Sequence, residues 1–183
     1  MNKGEKTQVT RTVRTYDEFF LLSIFALKQA EEQKEYSTYY CIVAMVFCAF
    51  SLEAYLNHIG ETYYNIWDFK DNQRTPSEKL RCIVKPKNLV IDKTKEPFSY
   101  FGTIFKYRDS IVHNRTETIS NWQKIENNEI PDLPLLAWEK ETTLGKAEKY
   151  CKNTRNMIVF LSKEIEDEDF PLGAPSDATW DLG

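Results

Sequence analysis

Residues 41–50 read Cys-Ile-Val-Ala-Met-Val-Phe-Cys-Ala-Phe, ten apolar side chains with no charge among them. Wound into a helix, such a run is apolar on every side, so it belongs at the centre of a bundle rather than on its surface. It has only about half the length that a membrane span needs. The helix extends both ways, from about Ser37 to Tyr64, and Ser37 or Thr38 can cap its start. Glu53 is the first charge after Glu35, and Asn57 follows one turn later on a similar face.

The neighbouring segments carry helical periods of their own. Phe20, Ile24, Leu27 and Ala30 recur at spacings of three and four, predicting a first helix from Tyr16 to about Lys34. Thr75-Pro76-Ser77-Glu78 is a capping box with proline at the first helical position, opening a third helix to about Val84. Pro86 stops it, and residues 85–96 form a basic loop with an apolar dip at Leu89 to Ile91. Pro97 opens a fourth helix to about Asn114. A last helix from Thr142 to Ile165 carries a seam of Leu144, Ala147, Cys151, Thr154, Ile158, Leu161 and Ile165. Residues 68–75 read as a polar turn. Residues 115–141, with Pro131 and Pro134, read as a long polar connection with room for a helical turn around Trp122. The expectation is an all-α bundle of four to five helices over residues 16–165, between a disordered 1–15 and an acidic, disordered 166–183.

At 183 residues and 42% hydrophobic content, the chain can bury one good core. No apolar run follows the N-terminal charges, so the expected location is cytoplasmic, with no membrane partner. Cys41, Cys48, Cys82 and Cys151 include no C-x-x-C pair and read as reduced core residues. With two histidines in the chain, neither a metal site nor a cofactor is expected. The net charge of −4 conceals an asymmetry: residues 74–115 hold 10 basic and 4 acidic side chains, a local net of +6. Such a field suits a phosphate backbone, and Lys85, Lys87, Lys106 and Arg115 are its candidate RNA contacts.

Inside that basic third, residues 108–113 read Arg-Asp-Ser-Ile-Val-His. At about 100° per residue, Phe101, Ile104, Phe105, Ile111 and Val112 form an apolar stripe centred near Arg108. A charge there needs an acceptor, and Glu53 of the apolar helix is the candidate. Asp109 and His113 are four apart and share a flank, where they can touch; Ser110 lies opposite. Arg108 and His113 are about 140° apart around the axis and about 7.5 Å apart along it, so one helix does not easily aim both at one atom.

These residues resemble the HEPN superfamily, all-α bundles that include many ribonucleases of bacterial defence and toxin systems. The family signature is R-x(4–6)-H with a polar residue after the arginine, matched here by Arg108, Asp109 and His113. The helix ending Ser51-Leu52-Glu53-Ala54-Tyr55-Leu56-Asn57 is similar to the one that precedes the motif in many members. The resemblance implies metal-independent endoribonuclease chemistry: the 2′-hydroxyl attacks the adjacent phosphate, leaving a cyclic phosphate and a 5′-hydroxyl. His113 would move a proton, Arg108 would grip the phosphate, and Asp109 would orient His113. Glu53, Asn57, Ser110 and Asn114 would support them. It further implies a homodimer across the motif helix and a cognate antitoxin or defence partner, or else a catalytically silent HEPN module that binds nucleotides, RNA or a protein. Some members carry a tyrosine two residues after the histidine; Arg115 stands there, which puts the associated toxin–antitoxin pairing in doubt.

Overall fold

The computed structural model describes residues 13–64, 74–120 and 133–165. In chain order the helices are α1 (Thr15–Glu32), α2 (Ser37–Thr62), α3 (Pro76–Val84), α4 (Phe101–Val112), α5 (Ala137–Glu141) and α6 (Leu144–Ile165). Single 3₁₀ turns precede α2 (Lys34–Tyr36), follow α3 (Lys85–Lys87) and precede α4 (Phe98–Tyr100). No strand occurs among the described residues, so the chain is all-α there.

The apolar run sets the arrangement. α2 packs against α1, α3, α4 and α6, and α1 also meets α6. Met45, Leu52, Leu56 and Ile59 of α2 are fully buried, each contributing about 1.5–3 kcal/mol by leaving water. The α6 seam meets them with Ala147, Cys151, Thr154, Ile158 and Leu161, all fully buried. Cys48 and Cys151 bring their thiols to 3.5 Å across that seam. Cys41 is buried as well, while Cys82 is half-buried.

By length and composition, the Lys34–Thr62 segment could cross a membrane. The ten-residue run understates it, because uncharged Ser, Thr and Tyr prolong the apolar character on both sides. Half of its most apolar window is buried inside the bundle.

Three local expectations change. α2 takes no side-chain cap from Ser37 or Thr38; the 3₁₀ turn runs straight into it, with Tyr36 before its first residue. α5 is a sixth helix within the stretch expected as a polar connection, started by Glu139 accepting from the Leu136 N–H. The fourth helix begins with the 3₁₀ turn and ends at Val112, with His113 as its C-cap. The capping box of α3 forms as expected: Thr75 Oγ1 accepts from the Glu78 N–H at 3.3 Å, and Glu78 Oε2 accepts from the Thr75 N–H at 2.8 Å. The expectations for residues 1–12, 68–73, Trp122 and 166–183 lie outside the described residues.

Candidate functional site

α4 lies against α2 through Phe101, Ile104 and Phe105, which are buried. Arg108 follows one turn after Ile104, at the margin of that contact, with a side chain 17% exposed. Its Nη1 donates to Glu53 Oε2 at 3.1 Å, the pairing expected of a charge set in an apolar stripe. The guanidinium also sits 5.6 Å from the centre of the Phe105 ring, which supports it from the preceding turn. The stripe departs from expectation at its end. Val112 is exposed, so burial stops at Ile111, while Tyr107 turns inward instead.

Glu53 has a second partner that the sequence reading missed. Lys79 of α3 donates from Nζ to Glu53 Oε1 at 2.9 Å, and its side chain is only 3% exposed. A lysine almost never lies this deep unless it is paired. The available signal was positional: Lys79 precedes Leu80 and lies one turn before Ile83, on the inner side of a helix whose start the capping box fixes. One carboxylate therefore serves two cations, with one oxygen for each.

Asp109 is half exposed and faces the same guanidinium. Its Oδ1 lies 2.7 Å from Arg108 Nε but off the N–H direction, giving a close charge contact without an aligned hydrogen bond. The expected approach of Asp109 to His113 is absent among the described residues. The physical reason is proximity: a fixed positive charge one residue away outcompetes an imidazole beyond the last turn. His113 is exposed at the helix end, its backbone N–H donating to the Asp109 carbonyl at 3.0 Å.

The remaining candidates divide by position. Asn57 is half-buried one turn beyond Glu53. Ser110 is satisfied locally, its hydroxyl donating to the Tyr107 carbonyl at 2.6 Å. The exposed Asn114 accepts from the Arg115 N–H at 3.0 Å. Lys85, Lys87, Lys106 and Arg115 are all exposed and make no hydrogen bond or ion pair with the cluster. The structure thus brings together Glu53, Arg108, Asp109 and Lys79, and leaves His113 at the rim.

Two further features frame the cluster. Tyr107 and Thr142 meet through their hydroxyls at 2.7 Å, tying α4 to the link between α5 and α6. A separate cavity of about 380 Å³, lined by Ser77, Leu80, Arg81, Val84, Ile91 and Lys93, opens on a different face of α3 from Lys79. Among the described residues no three His, Cys, Asp or Glu side chains gather as metal ligands do. No family model, no curated protein and no solved structure matches the chain.

Proposed function

We propose that this chain is a HEPN-type endoribonuclease, cytoplasmic, acting on RNA as a homodimer, in the manner of a toxin or defence effector with a cognate partner. The observation that carries the reading is the state of Arg108. Its guanidinium is held by one hydrogen bond from Nη1 to Glu53, with Nε buried against Asp109, so the Nη2 donors and the second Nη1 donor are left without a partner among the described residues. An arginine anchored in this way can take a phosphate in a two-donor fork and stabilise the charge that develops on it. His113, exposed five residues on, can move the proton of the attacking 2′-hydroxyl or of the leaving 5′-oxygen.

The separation of Arg108 from His113 supports a paired site, in which the histidine of one protomer completes the arginine of the other. α4 itself offers little for such pairing, since Gly102, Thr103, Lys106 and Asp109 are its exposed positions before Val112. The α1–α2 hairpin offers more. The rings of Phe19, Phe47 and Phe50 lie 5.7–5.9 Å apart, Phe47 edge to face with both others, and Leu22, Phe25, Tyr39 and Val43 of the same two helices are exposed. Glu53 follows Phe50 by three residues, so the ion cluster borders this apolar face.

One observation favours a second reading. The turn of Asp109 toward Arg108 leaves His113 without its orienting carboxylate within the protomer, as a catalytically silent HEPN module would have it. Incubation of the purified protein with RNA in EDTA separates the two. The nuclease produces fragments with cyclic-phosphate ends, abolished by Arg108→Ala and by His113→Ala. Intact RNA with all three proteins sinks the nuclease reading.

A further inference from the structure

The burial of Lys79 calls for an account that pairing alone does not give. A carboxylate facing an arginine ordinarily pairs through both oxygens, in two parallel N–H···O bonds. Glu53 does not. Its Oε2 takes Arg108 Nη1 at 3.1 Å, while its Oε1 is held by Lys79 Nζ at 2.9 Å. The two cations approach from different helices, α4 and α3, and pull the two oxygens apart in function.

The same fork that would close on a carboxylate is the one that grips a phosphate. If Glu53 presented both oxygens to Arg108, it would occupy the edge a phosphate needs. Lys79 prevents this by keeping one oxygen. It also balances charge: Lys79 and Arg108 offset Glu53 and Asp109, whereas without Lys79 the cluster is net negative and repels an anion.

We infer that Lys79 is a positioning residue, which holds Glu53 in a one-oxygen contact and keeps the Arg108 fork open for an RNA phosphate. This rests on the reading of Arg108 as the phosphate ligand. Lys79 itself, 3% exposed, does not touch RNA.

The test is binding of a fluorescent, fully 2′-O-methylated single-stranded RNA, which cannot be cleaved by 2′-hydroxyl attack, at low salt. Each variant is measured at a temperature where its circular dichroism matches wild type. Lys79→Met is expected to weaken binding about tenfold, the size of one lost charge-assisted contact. Adding Glu53→Gln to it is expected to restore affinity to within about threefold, because the amide no longer closes on Arg108 with a full charge. A purely structural lysine gives the opposite order, with the double variant worse than the single. If Lys79→Met alone does not fold, the decision passes to the comparison of Glu53→Gln with the double variant: a lysine that acts through the Glu53 carboxylate leaves the two within about threefold of each other, and a double variant about tenfold weaker than Glu53→Gln overturns the inference. Wild-type affinity in Lys79→Met, with Arg108→Ala still weakened, overturns the role of Lys79 and leaves the phosphate reading standing. Wild-type affinity in Arg108→Ala overturns both.

Discussion

Glu53 on α2 lies 2.9 Å from the ammonium of Lys79 on α3, and it is the carboxylate that makes the burial of that lysine tolerable. Its other oxygen meets Arg108 on α4, so three helices converge on one side chain. Removing Glu53 strands one deeply buried cation and one half-buried cation, and breaking a buried pair from one side costs about 3–5 kcal/mol. Glu53 is itself 25% exposed, which lowers the expectation for Glu53→Ala to about 3 kcal/mol of unfolding free energy. Asp109, 51% exposed and poorly aligned, should cost less than about 1 kcal/mol as Asp109→Asn. Urea denaturation compares the two, and equal losses would mean that Glu53 does not hold the bundle together.

The contrast between those carboxylates marks what was legible in the sequence. Cys41 to Phe50 announced a central helix because a run apolar on every side packs against several neighbours, although only Cys41, Ala44, Met45, Cys48 and Ala49 of it are buried and Val43 stays exposed. The Arg108–Glu53 pair followed from one charge in an apolar stripe and one carboxylate in an apolar helix. Lys79 did not follow, since a lysine in a basic segment reads as solvated and only the packing of α3 on α2 turns it inward. The direction of Asp109 was equally hidden, because helical spacing places it near both Arg108 and His113 and only side-chain geometry chooses. α5 escaped notice because five residues are too few to display a period.

The Tyr107–Thr142 contact has a fixed direction. The Thr142 hydroxyl donates to the Trp138 carbonyl at 2.8 Å, so the Tyr107 phenol must donate to Thr142 Oγ1 at 2.7 Å. Tyr107→Phe removes a donor and should cost about 1 kcal/mol. Thr142→Val leaves a buried phenol without its acceptor and should cost more, roughly 1–3 kcal/mol. Stability curves that rank the two variants the other way would reverse this donor assignment.

Alkali should unfold the protein through its tyrosines. Burial, reinforced by the nearby Glu141 charge, raises the Tyr150 phenol far above its ordinary value. Burial raises Tyr107 as well. Both folded values exceed the unfolded one, so the stabilisation is complete below about pH 10 and is lost as pH rises toward the folded values. Melting temperature should therefore fall above that pH, and tyrosinate absorbance from these two residues should appear together with unfolding. Tyrosinate that forms in a still-folded protein, counted against Tyr107→Phe and Tyr150→Phe, would contradict this.

Acid acts on α3 instead. The backbone N–H of Thr75, followed by its hydroxyl, holds the Glu78 carboxyl below its usual range. A depressed carboxyl stabilises above its unfolded value near 4.3 and loses that effect as pH falls through the folded one. Amide protection at Leu80 and Ile83 should decline over that window in wild type. Glu78→Gln should show lower protection at neutral pH and no such decline, and a parallel decline in both would assign it to another group.

The outer face of the α1–α2 hairpin makes the proposed dimer testable without any substrate. Phe25 and Tyr39 are 62% and 68% exposed, and the intervening Leu22 and Val43 carry no charge. A large aromatic side chain covers about 150–250 Å² when wholly buried, and Phe25 and Tyr39 keep about two thirds of that in water, so they bring on the order of 250 Å² per protomer to a second copy, with Leu22 and Val43 adding to it. A stable interface needs roughly 800 Å² per partner, which leaves a remainder for the polar rim around Glu53 and Arg108. Phe25→Glu and Tyr39→Glu should each change monomer stability by less than about 0.5 kcal/mol, since both side chains already face water. Each should nonetheless convert the dimer to monomer in sedimentation velocity at micromolar concentration, because a two-fold contact buries every introduced carboxylate twice, once from each protomer. RNA cleavage should fall in proportion to the dimer lost. A wild-type chain that sediments as a monomer, or glutamate variants that remain dimeric, would remove this face from the assembly and with it the shared site.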